Sequence, residues 1–281
     1  MCSGWARAAG ALPPNMTTTE VPLIIDCHAH GFPDKIAEKA VVQLEDHYGM
    51  KFRNPGTLAG LLASADAAGV SRLLVHTAVT KPSQTIVNND WAASIQSDRV
   101  LPFGSMHPGF ADIRGEFRRI RRFGLRGIKL HPDFQQFNLD DPAAFPIYDA
   151  CGDDLLLMIH VGDAKFEYSS PTRMARVLDR FPRLKVILAH LGGWQRWDEA
   201  RTTLYGRPVY IDTSVALAYM PPERAVELIR AHGADHVLFG SDYPYTTHRE
   251  ELARVAALGL TDAEQRMILG GNAARMLGGN Y

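Results

Sequence analysis

Two histidines, one residue apart, close the stretch Ile24-Ile25-Asp26-Cys27-His28-Ala29-His30. Side chains on a strand alternate between faces, so His28 and His30 point the same way. Two imidazoles on one face at the end of a buried strand make a two-point grip for a metal ion. Alone, such a pair reads equally well as ordinary core or loop histidines. The rest of the chain tips the balance. Of the 11 histidines, His28, His30, His76, His107, His131, His160, His190 and His236 fall in or at the ends of apolar runs that read as strands. The last of those runs leads into Asp242. A barrel interior favours branched aliphatics, so packing does not explain this sorting. Convergent imidazoles plus one carboxylate are the ligand set of a catalytic zinc-type site. An ion held that way lowers the pKa of its bound water to about 7 and supplies hydroxide at neutral pH. The other three, His47, His232 and His248, lie on expected helices or loops and read as solvated.

The elements that must carry these groups follow from periodicity. After the first strand, strands are expected over 71–79, 100–106, 126–131, 155–161, 185–190, 209–214 and 236–241. Helices are expected over 34–48, 57–68, 84–96, 112–122, 142–151, 171–181, 194–204 and 222–232, with helical segments at 250–257 and 262–277. Runs such as Leu155-Leu-Leu-Met-Ile159 are apolar throughout, as in parallel strands covered on both faces. Eight strand–helix units in 281 residues argue for an α/β fold, a single-domain (β/α)8 TIM barrel, which takes roughly 250 residues. A doubly wound open sheet would carry a glycine-rich phosphate turn after its first strand. Here that strand ends in His-Ala-His.

Net charge is −1, from 30 basic and 31 acidic residues, so no global field points to nucleic acid or a membrane, and a small-molecule substrate is expected. No apolar run approaches the roughly 20 residues that span a bilayer. Cys2, Cys27 and Cys151 form no CxxC pair and suit a reducing, cytoplasmic setting. Residues 1–20 read as a disordered tail, within which Met16 is an alternative start to Met1, and 21–281 as the barrel.

Six segments carry a family resemblance in order: His28-Ala-His30, Gly127-Ile-Lys-Leu-His-Pro132, Met158-Ile-His160, Leu188-Ala-His-Leu-Gly-Gly193, Gly240-Ser-Asp-Tyr-Pro244 and Gly271-Asn-Ala-Ala-Arg-Met-Leu277. Together they resemble the amidohydrolase superfamily, in the amidohydrolase-related branch of metal-dependent hydrolases and aminocarboxymuconate-semialdehyde-type decarboxylases. The resemblance spans about residues 22–278. It implies one divalent metal, zinc first, with manganese and iron accepting the same donors. His28, His30, His160 and Asp242 would be its ligands. Asp242 would also hydrogen-bond the metal's water, and His190 would sit over that water as general base or electrostatic partner. In binuclear relatives a carbamylated lysine at the position of Lys129 bridges a second ion held by His160 and His190. Otherwise Lys129 is a lysine capped by a carboxylate such as Asp242. The resemblance is also compatible with a homodimer.

Around that centre His107 and His131 read as substrate-facing or ligand-supporting groups, or as loop histidines held by Pro108 and Pro132. His76 reads as structural, and Asp26 as a buttress for the strand end. Gln135, Trp194 and Tyr243 are expected to supply pocket surface. The first expected reaction is hydrolysis of an ester, lactone or amide, with Asp242 and His190 moving protons. The alternative is non-oxidative decarboxylation of an aromatic or unsaturated acid, for which Arg126, Lys165 and Arg173 are candidate pocket cations. A metal-free binding barrel is the third reading.

Overall fold

The computed structural model describes residues 23–279. The tail over 1–20 and Cys2 lie outside them. All eight expected strands form, most of them shorter than expected. The first two are β1 (Ile25–His30) and β2 (Arg72–His76). The third comes in two pieces, β3 (Val100–Pro102) and β4 (Gly104–Ser105), divided at Phe103. Then follow β5 (Gly127–Leu130), β6 (Leu156–Ile159), β7 (Lys185–Leu188), β8 (Tyr210–Asp212) and β9 (Val237–Leu238).

All neighbours pair in parallel, in the orders β1-β2-β3 and β4-β5-β6-β7-β8-β9. Backbone hydrogen bonds join the two sheets at both seams. Phe103 N–H donates to Val75 O (2.9 Å) at one, and Cys27 N–H to Phe239 O (2.8 Å) and His30 N–H to Tyr243 O (2.7 Å) at the other. The result is a TIM barrel.

Alternation along each strand sorts side chains between two cores. On β6, Leu157 and Ile159 pack in the outer layer under the helices, while Leu156 and Met158 join the inner cluster with Phe103, Ile187 and Leu238. His160 continues the inner parity one step beyond β6. On β5, Ile128 and Leu130 belong to the outer layer, so Lys129 points inward, where it is fully buried.

Most helices match expectation closely. Asp34–Tyr48 and Pro222–His232 run as expected, and Thr247 and Thr261 open their helices with capping boxes to Glu250 and Glu264. Three differ. The helix expected over 194–204 begins only at Trp197. The one over 142–151 starts as a 3-10 turn, Pro142–Ala144. The last is interrupted by a π-helical turn, Met267–Gly271, where a Cβ on Gly270 would stand 2.2 Å from Leu23 O. A short helix, Pro132–Gln135, replaces an expected loop. Among the described residues no helix is long and apolar enough to cross a membrane.

Gly127 opens β5 against the backbone of β6, and a Cβ there would lie 2.2 Å from Leu156 O and 2.6 Å from Phe103 Cε2. Gly127→Ala is expected to cost about 1–3 kcal/mol through forced strand separation. Urea denaturation of variant and parent measures it, and an unchanged midpoint contradicts that packing.

Candidate active site

The side chains that matter collect at the C-terminal ends of the strands, where TIM barrels carry their sites. His28, His30 and Asp242 have ligating atoms within 4.8 Å of one another. Asp242 Oδ1 lies 3.1 Å from His30 Nε2 and 3.5 Å from His28 Nε2.

Each imidazole is aimed by its other nitrogen. His30 Nδ1–H donates to His76 O (3.0 Å), and His28 Nδ1–H donates to Asp212 Oδ2 (3.0 Å). Both tautomers therefore turn an Nε2 lone pair toward Asp242, as metal-ligating histidines do. Lys129 Nζ donates to His28 Nε2 (3.1 Å) instead of being capped by a carboxylate.

Asp212 is fully buried and unmarked by any motif. It accepts from four donors: His28 Nδ1, His190 N–H (3.1 Å), Ser214 N–H (3.0 Å) and the Ser214 hydroxyl. Burial pushes its carboxyl up to about 7, against the pull of the Ser214 hydroxyl, the His190 and Ser214 N–H groups and the Lys129 charge. The signal for it was present in the sequence, as an acid closing the apolar run Val209-Tyr210-Ile211.

His160 and His190 line the same cavity. His160 Nε2–H donates to Gly162 O (2.8 Å), and His190 Nδ1–H to Ser214 O (3.0 Å). Their remaining nitrogens, His160 Nδ1 and His190 Nε2, face each other at 3.1 Å. In neutral rings these are two lone pairs, and a cation within reach relieves their repulsion. Burial, ahead of all other causes, lowers the pKa of His28 and His160 well below normal and that of His190 to about 4. Neutral imidazoles are the ligating form. Burial alone would raise Asp242. The neighbouring His30 and the positive charge of Lys129 outweigh it and hold the carboxyl below its ordinary value. The grouped donors His28, His30 and Asp242 thus fit a divalent cation, while His160 falls outside that group and gathers with His131 and Asp133.

Two of these residues sit in strained backbone. His190 and Asp242 have φ of 58° and 56°, a region that costs a non-glycine residue about 1–3 kcal/mol. Local anchors hold them there: Asp242 N–H donates to His28 O (2.7 Å), and Trp197 Nε1–H to His190 O (2.9 Å). Asp26 buttresses the same corner, accepting from His28 N–H (2.9 Å) and Ser241 N–H (3.0 Å).

Above the cluster opens a cavity of about 420 Å³, walled largely by apolar and aromatic side chains such as Phe32, Leu44, Val87, Trp91 and Phe134. A smaller one of about 20 Å³ adjoins it and shares Tyr48, Phe52, His160, His190 and Asp242.

Several expectations need correction. His107 accepts from Gly109 N–H (3.0 Å) and does not line the cavity. Gln135 holds His131 N–H (2.9 Å) and Met106 O (2.8 Å), so it supports His131 and offers nothing to a ligand. The Tyr243 ring is buried against His248, and only its carbonyl serves the site. Trp194 instead packs on the His190 ring and lines the smaller cavity. His131 lines the larger one, and His76 proves structural, bonded to Cys27 O (2.9 Å).

His248 is not solvated: it is fully buried between Asp26 (2.9 Å) and Ser64 (2.9 Å). His232 is buried on Val209 O, and His47 packs on Phe134 beside Asp163. Helix position alone did not reveal what these three faced. Arg126, Lys165 and Arg173 do not line the cavity, whose lysine is Lys129.

The sequence model of the amidohydrolase family matches residues 25–279. The chain belongs to the amidohydrolase family. Solved structures share the fold of this amidohydrolase over nearly its whole length. One is 5-carboxyvanillate decarboxylase from Sphingomonas paucimobilis, at 20% identity and TM-score 0.69, covering 92% of this chain and 99% of that one. Another is an uncharacterized TIM-barrel protein from Bordetella bronchiseptica, at 23% identity and TM-score 0.74, covering 91% and 98%. A third is a dihydroxybenzoic acid decarboxylase from Polaromonas, solved with manganese and 2-nitroresorcinol, at 15% identity and TM-score 0.70, covering 92% and 97%.

Proposed function

We propose that this amidohydrolase is a metal-dependent decarboxylase of a small aromatic acid. The observation that carries the reading is the cavity: a largely apolar chamber of about 420 Å³ whose floor is the cluster of His28, His30, Lys129, His190 and Asp242. The volume suits a single substituted ring. Apolar walls strip water from a carboxylate, and Lys129 together with a bound ion would draw it inward. The fold shared with two decarboxylases of hydroxylated benzoic acids supports the same reaction class. This reverses the order expected from sequence, in which hydrolysis stood first.

His28, His30, His160 and Asp242 would hold one divalent ion, manganese or zinc. Bound there, the ion would supply positive charge for the substrate's carboxylate and ring oxygens. Lys129 adds a second positive group on the same floor. His190 can exchange a proton only at Nε2, because Nδ1–H is tied to Ser214 O. In this reading His190 Nε2 takes a proton from solvent or a substrate hydroxyl and delivers it to the ring carbon bearing the carboxylate. A carbon–hydrogen bond forms and the carbon–carbon bond breaks. The released electron pair restores the aromatic ring, and carbon dioxide leaves.

The test is a turnover panel on the manganese- or zinc-loaded protein. Hydroxybenzoates and 5-carboxyvanillate are followed by carbon dioxide release, esters and lactones by acid release. Carbon dioxide from an acid, abolished by chelation and restored by metal, is expected, with a single ion per chain by elemental analysis. Ester or lactone turnover without decarboxylation overturns the reading. A second equivalent of metal with a carbamate on Lys129 overturns the mononuclear assignment.

A further inference from the structure

Tyr48 carries a hydroxyl that no family motif marks and that the proton steps above leave unused. It ends the helix Asp34–Tyr48, where Gly49 reverses the chain at φ 67°. Gly49 N–H donates to Glu45 O (2.8 Å), and the Glu45 carboxylate accepts Phe52 N–H (2.8 Å), so the turn is fixed on both sides of Tyr48. The ring stands between the two cavities and lines both.

The tyrosine oxygen lies 3.0 Å from His131 Nε2. His131 is itself held in place. Its N–H is bound by Gln135, its ring stacks on His160 at 4.0 Å, and its Nδ1 accepts Phe134 N–H (3.5 Å). An Nδ1 that accepts leaves the proton on Nε2. His131 therefore donates to the tyrosine oxygen, and the tyrosine's own O–H proton has no acceptor among the described residues. Here the unspent donor borders the chamber. Burial, and then the negative charges of Asp242, Asp163 and Asp133, raise its pKa well above normal, so it stays a neutral donor.

We propose that the Tyr48 hydroxyl, held by His131, is a specificity determinant that donates to a ring oxygen of the substrate and so selects hydroxylated aromatic acids over plain benzoates. The inference rests on the decarboxylase reading for its substrate class alone. The chemistry agrees: protonation of a ring carbon is assisted when a ring hydroxyl pushes electrons toward it. A site built to pair a substrate oxygen also discriminates against the analogue lacking it far better than apolar walls do.

The experiment measures binding, so it does not depend on turnover. Benzoate and its 2-, 3- and 4-hydroxy isomers are titrated calorimetrically into the metal-loaded protein, the parent and Tyr48→Phe side by side. In the parent, at least one hydroxy isomer is expected to bind about tenfold tighter than benzoate, roughly the value of one hydrogen bond. In Tyr48→Phe that margin should vanish while benzoate affinity holds. His131→Phe, which leaves Tyr48 intact but unsupported, should narrow the margin. A margin that survives in Tyr48→Phe, or a parent that prefers no isomer, overturns the proposal. So does an equal loss of benzoate affinity, which marks a packing role. Tyr48-dependent selectivity without any carbon dioxide release would leave this proposal standing and remove the decarboxylase reading.

Discussion

Asparagine in place of His190 is expected to leave the metal content unchanged and to lower kcat by about 10²–10⁴-fold, the range of a lost general acid–base group. Asparagine suits this position because residue 190 adopts φ 58°, a region that asparagine enters more readily than most residues. The backbone anchors of the site do not involve the imidazole: His190 N–H to Asp212 and Trp197 to His190 O persist in the variant. What disappears is Nε2, the atom that meets His160 Nδ1 at 3.1 Å. His28, His30, His160 and Asp242 remain to hold an ion. Elemental analysis and steady-state kinetics on one preparation separate the two effects. Loss of metal along with activity would make His190 a ligand and sink the mononuclear assignment. Full activity would remove it from the proton path.

The barrel was legible because its signals repeat. Most strands are apolar runs with a turn behind them, and alternation within β6 alone separates the inner core from the outer. The His-X-His grip was legible for the same reason, since strand parity fixes which way two imidazoles face. What stayed hidden depends on contacts across the ring. Asp212 and His28 are 184 residues apart, and no local pattern announces that one aims the other. His248 and Asp26 meet over a similar separation, so helix position alone made a fully buried histidine look solvated. Tyr48 was overlooked because it closes an ordinary amphipathic helix, and only the fold brings it beside His131. His107 was overvalued, because a histidine just past the end of a strand can as well turn back onto its own loop.

Asp212→Asn tests that hidden contact and should be as damaging as loss of a direct ligand. The carboxylate accepts His28 Nδ1–H on one oxygen and His190 N–H, Ser214 N–H and the Ser214 hydroxyl on the other. An amide has one accepting oxygen. If that oxygen stays with the backbone donors, the NH2 group faces His28 Nδ1. The imidazole must then move its proton to Nε2, where a proton blocks metal binding. If the amide flips, three donors lose their acceptor in a fully buried site. In the first orientation His28 is no longer held as a ligand, and in the second it keeps its acceptor while the turn that carries His190 loses its anchor. The expected result is a 10–100-fold weaker metal affinity, the usual cost of removing a group that orients a ligand. Activity should fall further at limiting metal and recover in part at saturating metal. Metal titration of the chelated protein, read by calorimetry, measures the first. The same activity assay across metal concentrations measures the second. Parental affinity in Asp212→Asn would mean that His28 needs no such partner, and that Asp212 serves only to pin the strained turn at His190.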